Sequence, residues 1–538
     1  MASFSFEMKK YLPFVGFLLI VGVFIFFKLP HLPLPYFWDE AWVYAPAVSH
    51  LYHHQLSMLP DAMPVDLSRG HPLLFHFLAA SWQKIFGASI TSAHAFALFV
   101  SVMLLSVLFY LGNKISGIVG LSVVILLCLQ PVFISQSGLL LPEVMVSLWI
   151  LLSLVFYLNE NKIGFVFSAT CLLLTKEPGI IFLFAIGVWI LVEHLSLRKQ
   201  QQFSLKKLAM DIIIVVLPVL FASSFFIIQK MQHGWFFYPE HISYIEFDWK
   251  HFKELFHAAH QYVFEKHARE PLALGFLIIT ITFWKALRFR ERILIAFCFL
   301  AVTKIFFELW KMPKQMEYFI LPFLLVLIYH KFFFRMYSEN KIKGRLIGIA
   351  SLFGIIYLAF SSLNFLSIRY LLCVLPLFIL TAVIFSEHVI SSLKVLPLKS
   401  DFIIALLVAI CGLNMYSKLH DPIDIRDDNL NFADGIRIQQ DIVRYFESNN
   451  LSDCHIYGTF LNVVNLTNPA SGYLSKDNTF AASSGIEAET DYFIFTNIEE
   501  SPIYKEVKNE QVNIEKRFQQ GKAWAEIYRR TNSTCSRM

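Results

Sequence analysis

The stretch YLPFVGFLLIVGVFIFF, residues 11–27, carries no charged side chain and is preceded by two lysines, Lys9 and Lys10. A helix needs about 20 apolar residues to cross a bilayer. No small-residue cleavage site follows the stretch, as it would after a signal peptide. The stretch therefore predicts a retained first transmembrane helix.

The composition of the whole chain is that of an integral membrane protein. Of its 538 residues, 56% are hydrophobic and 16% are charged, and the mean hydropathy is +0.57. This balance is far from that of a soluble globular domain. The formal net charge of +5 is typical of basic cytoplasmic loops. It therefore does not indicate nucleic acid as a partner.

Apolar runs recur along the chain and predict about 13 spans, which lie near 11–28, 90–112, 116–134, 138–158, 163–176, 178–195, 209–229, 271–287, 292–310, 317–331, 345–363, 369–387 and 402–417. With a cytoplasmic N-terminus, the connections after even-numbered spans should be rich in Lys and Arg. They are, most clearly at 198–207, 285–292 and 331–345. An odd number of spans then leaves the C-terminus outside.

This topology places two long loops, about 29–89 and 230–270, on the outer face. Both contain aromatic, amphipathic runs that are typical of helices lying on the membrane surface. After residue 418 the chain becomes polar, with short strand-like and helix-like runs. We therefore predict a polytopic α-helical membrane domain at 1–418 and a small outer α/β domain at 419–538.

Two of the seven cysteines, Cys454 and Cys535, lie in this polar tail. They could form a disulfide if the tail faces an oxidising compartment. The other five lie in apolar runs without metal-type spacing, which indicates packing roles.

Two adjacent carboxylates, Asp39 and Glu40, stand in PYFWDEAWVYAPAV, residues 35–48, just beyond the first span. Taken alone, the pair is better explained as solvated surface charge. Glu143 follows Pro142 at the outer end of the fourth span. An ionisable group at that depth is costly unless it is paired or faces a wet cavity. Its alternative role is to stabilise a helix N-terminus.

The basic and imidazole candidates on the same predicted face are Arg69, His71, Lys176, His241 and Arg369, the last beside Tyr370. Guanidinium groups suit phosphate oxygens, and at an outer membrane boundary that phosphate belongs to a lipid. Each residue alone has a plainer interpretation, as a solvated residue, an ion-pair partner or an interfacial anchor. Their common sidedness favours a site where a carboxylate deprotonates a hydroxyl and cations stabilise a leaving phosphate.

The order of these motifs resembles the membrane glycosyltransferases of the GT-C superfamily. The pieces that carry the resemblance are WDEAWVYAPAV, GHPLLFHFL, LLPEVMVSLWILLSLVFYL, LLTKEPG and a later RYLL run. The pattern is most similar to the branch that contains protein O-mannosyltransferases and the lipid A aminoarabinose transferase. It covers the first part of the chain, up to about residue 200, and the remainder in layout.

The resemblance implies an inverting transfer of a sugar from a polyprenyl-phosphate carrier to an acceptor hydroxyl, outside a bacterial cytoplasmic membrane. It implies that Asp39 is the base, with Glu40 and Glu143 as further catalytic acids. Arg369 and Tyr370 are expected near the carrier phosphate, with Lys176. The acceptor could be a lipid, a glycan or a protein.

Metal binding is left open by the resemblance. His241 is similar to a histidine that helps to hold a metal ion in the aminoarabinose transferase. However, RGHP stands where that enzyme has FEKP, so Gly70 and His71 replace its Glu and Lys. The departure argues against transfer of that aminosugar. His71 is a candidate for either a divalent cation or, with Arg69, the phosphate.

Two other classes of function remain. A flippase or transporter of lipid-linked sugars needs charged groups near the middle of its spans, and Lys304 in the ninth span is one of few. A binding protein without catalytic activity is the other alternative.

Overall fold

The computed structural model describes residues 2–199, 203–264, 337, 340–392, 400–417, 419, 424–475, 479–486, 489–507, 512–533 and 535. Several predicted features lie outside these ranges: the spans at 271–287, 292–310 and 317–331, Lys304, and the basic residues at 285–292 and 331–335.

Each of the other ten predicted spans contains an apolar helix. Five are long and apolar enough to cross a membrane: Tyr11–His31, Ile90–Asn113, Glu177–Leu195, Leu205–His233 and Lys341–Ser361. Five are shorter apolar helices: Gly117–Cys128, Glu143–Leu158, Lys162–Thr175, Leu375–His388 and Asp401–Ser417. The chain is thus a multi-pass helical membrane protein, and the total of about 13 spans stays a prediction.

The predicted span at 116–134 is broken. Its helix ends at Cys128, and a separate short helix, Pro131–Gln136, follows. Gln130 is extended, with ψ 123°. The reason is Pro131, because the proline ring disfavours a helical conformation in the residue before it.

Side-chain caps explain where several of the membrane helices begin. A side-chain oxygen accepts a hydrogen bond from the backbone N–H three residues later at Ser116, Asn161, Ser204 and Asn340. Such caps satisfy N–H groups that have no partner within the helix. At the other end of Leu205–His233, Gly234 has a φ of +82° and closes the helix, as glycine does readily.

The chain divides into two compact units. The first comprises Met1–Val21, Met103–Leu129 and Met145–Tyr416. The second comprises Gly22–Val102, Gln130–Val144 and Ser417–Met538. The first outer loop and the polar C-terminal region therefore belong to one unit.

Both long loops, predicted to face outward, contain short helices. In the second unit, the first loop folds into Ala45–His53, Val65–Ser68 and Leu74–Phe86. In the first unit, the second loop folds into Pro239–Ser243 and Trp249–Phe264.

The C-terminal region contains a five-stranded mixed sheet. Its strands are β1 His455–Tyr457, β2 Ala481–Ser483, β3 Tyr492–Thr496, β4 Val512–Gln520 and β5 Ala523–Arg530. The order is β2-β1-β3-β5-β4, parallel between β2, β1 and β3 and antiparallel between the others. Every residue of β3 is buried, as expected for a strand covered on both faces. The helices of this region are Phe432–Ser448, Phe460–Thr467 and Tyr504–Val507.

Cys454 and Cys535 form a disulfide with a Cα–Cα distance of 5.7 Å, closing a separation of 81 residues. A crosslink over a loop of this size stabilises a fold by about 4–5 kcal/mol through the entropy of the unfolded chain. We expect the double variant C454S/C535S to lower the thermal midpoint of the purified full-length protein. Wild-type protein treated with reductant should show the same shift, and an unchanged midpoint would contradict the structural role.

Candidate active site

Asp39 and Glu40 lie at the start of a helix with unusual geometry. Asp39 precedes a π-helical turn, Glu40–Tyr44, which continues directly into Ala45–His53. Trp38, the residue before Asp39, has a φ of +50°, which is uncommon for a bulky side chain. Strained backbone and π-helical turns both concentrate at functional sites. The turn is therefore a site candidate on backbone grounds alone.

Glu40 is directed into the interior of the fold. Its side chain is 0% exposed. Oε1 accepts the backbone N–H of Leu140 at 2.5 Å and lies 2.7 Å from Nε2 of His94, and Oε2 accepts the N–H of Phe37 at 3.1 Å. Both oxygens are thus engaged by the protein itself. This environment favours a role in holding the turn over direct contact with a substrate.

Asp39 has a different environment, although it is the adjacent residue. It is only half-buried, and Oδ1 accepts a hydrogen bond of 3.1 Å from Nε1 of Trp42. The helix that follows it favours a negative charge at this end. The Arg69 guanidinium lies 5.1 Å from the centre of the Trp42 ring. The structure therefore brings Asp39 and Arg69 to the same indole.

The RGHP segment forms a tight turn after Val65–Ser68. Arg69 and Gly70 are both left-handed, with φ of +47° and +71°, and the N–H of His71 donates to the carbonyl of Ser68 at 3.0 Å. Two successive left-handed residues fit a sequence with glycine at the second position. His71 is half-buried.

A second histidine, His76, lies in the helix that follows this turn and is 2% exposed. Burial, together with the nearby His71, lowers the pKa of His76 to about 3. Its ring stacks on that of Tyr44 with centroids 5.6 Å apart. His76 is therefore neutral at physiological pH and acts as a packing residue.

Glu143 is the first residue of Glu143–Leu158 and is 4% exposed. A carboxylate at this position stabilises the positive end of the helix dipole. It also lies three residues after Leu140, whose N–H binds Glu40. The segment that carries Glu143 is thus tied to the turn that carries Asp39.

In the first unit, two cations from distant parts of the chain meet at one tyrosine. Nζ of Lys176 lies 4.3 Å from the centre of the Tyr370 ring, and Cζ of Arg369 lies 5.4 Å from it. Arg369 is 6% exposed. The Tyr370 carbonyl accepts a 3.1 Å hydrogen bond from the hydroxyl of Tyr357, which fixes this segment.

His241 lies in an aromatic environment in the second outer loop. Its ring centroid is 5.3 Å from that of Tyr238 and 6.3 Å from that of Tyr244. Tyr244 in turn lies 6.1 Å from Phe365. The loop thus contacts the segment that leads to Arg369.

Among the residues that the structure describes, the group of three metal-ligand types that lie close together is Cys454, Asp491 and Cys535. Because the two cysteines form the disulfide, they have no thiolate to offer a metal. Within the described part of the chain, neither His71 nor His241 belongs to such a group.

Comparison with known proteins gives similarity in structure only. No family model matches the chain, and no curated protein matches it in sequence. A crystal structure of ArnT from Cupriavidus metallidurans bound to undecaprenyl phosphate is similar, with a TM-score of 0.47, 10% identity and coverage of 95% of this chain and 97% of that chain. The apo state of ArnT has a TM-score of 0.44 with the same identity and coverage. At 10% identity the similarity assigns no substrate or residue role.

The residues that surround Glu40 were not among the candidates predicted from the sequence. Apart from Tyr110, His94 is the one ionisable residue within Ile90–Asn113, and a histidine in a span is a functional candidate by default. Lys28 is 0% exposed and donates to the Ile134 carbonyl at 2.8 Å. Burial, with the charge of Glu40 as a second cause, raises the pKa of both Tyr36 and Tyr473. These phenols therefore stay neutral.

Proposed function

We propose that the chain is an inverting glycosyltransferase. It moves a sugar from a polyprenyl-phosphate carrier to an acceptor hydroxyl at the outer face of a bacterial cytoplasmic membrane. The observation that supports this most is the contrast within one turn: Glu40 is fully buried, whereas Asp39 is half-buried and contacts the same indole as Arg69. A partly exposed carboxylate on a strained, braced turn is suited to act as a base.

The reaction has an acceptor half, which the proposal assigns to Asp39. A hydroxyl is a poor nucleophile, so Asp39 takes its proton as the oxygen attacks the anomeric carbon. The new C–O bond forms on the face opposite the departing phosphate, which inverts the anomeric centre. Glu143 would position the acceptor.

The phosphate half is assigned to Lys176, Arg369 and Tyr370. When the bond between sugar and phosphate breaks, its electrons stay on the phosphate oxygen, and nearby cations stabilise that growing charge. Arg369 and Lys176 supply two positive charges on the ring of Tyr370. Arg69 and His71 would contact the sugar phosphate from the first outer loop.

A divalent cation is a further component to be tested, and His71 and His241 are each a candidate ligand. A metal ion could neutralise the leaving phosphate as a Lewis acid. If transfer is lost in EDTA and restored by added Mg²⁺ or Zn²⁺, a divalent cation is required for the reaction.

The disulfide supports the proposed sidedness. Disulfides persist in oxidising compartments and are rare in the cytosol, so Cys454–Cys535 favours a C-terminal region outside the cytoplasmic membrane. In intact cells, a membrane-impermeant maleimide should label these two cysteines only after reduction.

The proposal is tested with purified protein and a labelled undecaprenyl-phosphate-linked sugar. Transfer to an acceptor extract from the cell envelope is the expected result. Movement of the label across vesicles without transfer would indicate a lipid-linked-sugar flippase, and binding alone would indicate a non-catalytic protein. Either outcome would overturn the proposal.

Arg369→Ala should weaken binding of undecaprenyl phosphate by about 10- to 100-fold, because hydrogen bonds to charged groups contribute about 1.5–3 kcal/mol. Arg369→Lys keeps the charge but loses the planar fork, so an intermediate loss is expected. Binding of radiolabelled undecaprenyl phosphate to the purified variants measures both. Arg444→Ala, at an exposed arginine in the C-terminal region, is the matched control and should bind as wild type does.

A further inference from the structure

The side chain of His94 is held between two oxygen atoms that accept hydrogen bonds. Nδ1 lies 2.8 Å from the carbonyl oxygen of Leu32, and Nε2 lies 2.7 Å from Oε1 of Glu40. A carbonyl oxygen can only accept, so Nδ1 carries a proton. A neutral imidazole has only one N–H, and its Nε2 would then be an acceptor facing the carboxyl group.

Three groups hold the side chain of Glu40 in place. Its Oε1 contacts Nε2 of His94 and accepts the backbone N–H of Leu140, and its Oε2 accepts the N–H of Phe37. Both members of the pair are buried, with side chains 1% and 0% exposed. The hydrogen bond between them is therefore shielded from water.

We propose that His94 is a positioning residue of the candidate active site: its buried hydrogen bond to Glu40 locks the turn that directs Asp39. The catalytic meaning of this inference rests on the proposed transferase function. The bracing itself rests on the hydrogen bonds alone.

Glu40 in turn restrains two segments of the backbone, at Phe37 and at Leu140. Its bond to the N–H of Phe37 spans Trp38, so it closes the turn around the residue with left-handed backbone. A strained conformation persists only where the surroundings hold it. Its bond to Leu140 ties the same turn to the segment that leads to Glu143. One carboxylate therefore fixes the backbone beside both candidate acids.

Lys28 is a further buried basic residue in the same unit. Its Nζ donates to the Ile134 carbonyl and lies 5.6 Å from the centre of the Phe432 ring. Gly138 makes room for it, since a Cβ there would lie 2.8 Å from Cε of Lys28. The segment at 134–140 therefore contacts both Lys28 and Glu40.

Two substitutions at His94 separate its two hydrogen bonds. The amide nitrogen of glutamine can take the place of Nε2, so His94→Gln keeps the donor to Glu40. The amide nitrogen of asparagine takes the place of Nδ1, so His94→Asn keeps only the donor to Leu32. We expect H94Q to transfer sugar at a rate close to wild type. H94N should lose about 100-fold in kcat with little change in the KM for the donor, as expected for a misdirected catalytic group.

Hydrogen exchange of the full-length protein, followed by mass spectrometry, provides a readout that needs no activity. Amides at 37–44 should exchange faster in H94N than in H94Q or wild type. His194→Asn is the matched control, because His194 pairs with Asp211 at 3.0 Å in the first unit, and it should change neither kcat nor exchange at 37–44. E40Q, which keeps the side-chain shape, should share the kcat-selective loss of H94N.

The outcomes distinguish this inference from the proposed function. Equal kcat values in H94N and wild type, equal losses in H94N and H94Q, or a wild-type kcat in E40Q would overturn the positioning role. Faster exchange in H94N alone, in a protein whose wild type transfers no sugar, would support the bracing and overturn the proposed function.

Discussion

Asp39→Asn should lower the turnover of sugar transfer by about 1000-fold, within the range that a general base contributes. The amide has the shape of the carboxyl group and can still accept the hydrogen bond from Trp42, but it cannot take a proton. The fold should therefore be intact. Turnover is measured with a labelled polyprenyl-phosphate-linked sugar, and the thermal midpoint of the same preparation should match that of wild type.

Asp66→Asn is the matched control for this experiment. Asp66 is an exposed acid in the same outer loop, so its substitution changes the charge of the loop by the same amount. Transfer by this control should be unaffected. Near-wild-type turnover in Asp39→Asn, or an equal loss in the control, would remove Asp39 from the role of base.

The membrane helices could be predicted from the sequence because their signal is local. A run such as 11–27 carries its own hydropathy, and the cap residues Ser116 and Asn161 stand directly before the helices that they begin. The break at Pro131 was equally local, but the apolar residues on both sides concealed it. The proline itself was the sequence signal for the break.

The different environments of Asp39 and Glu40 could not be predicted in this way. Both are acids in the same motif, and nothing nearby in the sequence says which one turns inward. The partners that decide it, His94 and Leu140, stand 54 and 100 positions from Glu40. The left-handed backbone of Trp38 could not be predicted either, because a tryptophan in the sequence does not indicate a positive φ.

The contact between Lys176 and Tyr370 could not be predicted from the sequence either. Each residue was identified as a candidate from its place at a helix end. Their contact depends on how Lys162–Thr175 and the turn at Ile368–Cys373 pack within the first unit. A contact between segments so far apart in the sequence is set by tertiary structure, for which local patterns carry no information.

Glu40→Ala should destabilise the protein, whereas Asp39→Asn should leave its stability unchanged, although the two residues are adjacent. Removing one partner of a buried ion pair costs about 3–5 kcal/mol because the other charge stays buried. Here His94 would lose its carboxylate partner, and the N–H groups of Phe37 and Leu140 would lose their acceptor. The thermal midpoint of the purified full-length protein should therefore fall markedly.

A double variant tests whether charge is the cause. If the unpaired imidazolium carries most of the cost, E40L/H94L should be more stable than E40L alone, because two apolar side chains replace both members of the pair. A purely steric role for Glu40 predicts that the second substitution adds to the loss. Equal or lower stability of the double variant would therefore exclude the charged pair as the source of the effect. A gain would tie the stability of the Asp39 turn to His94.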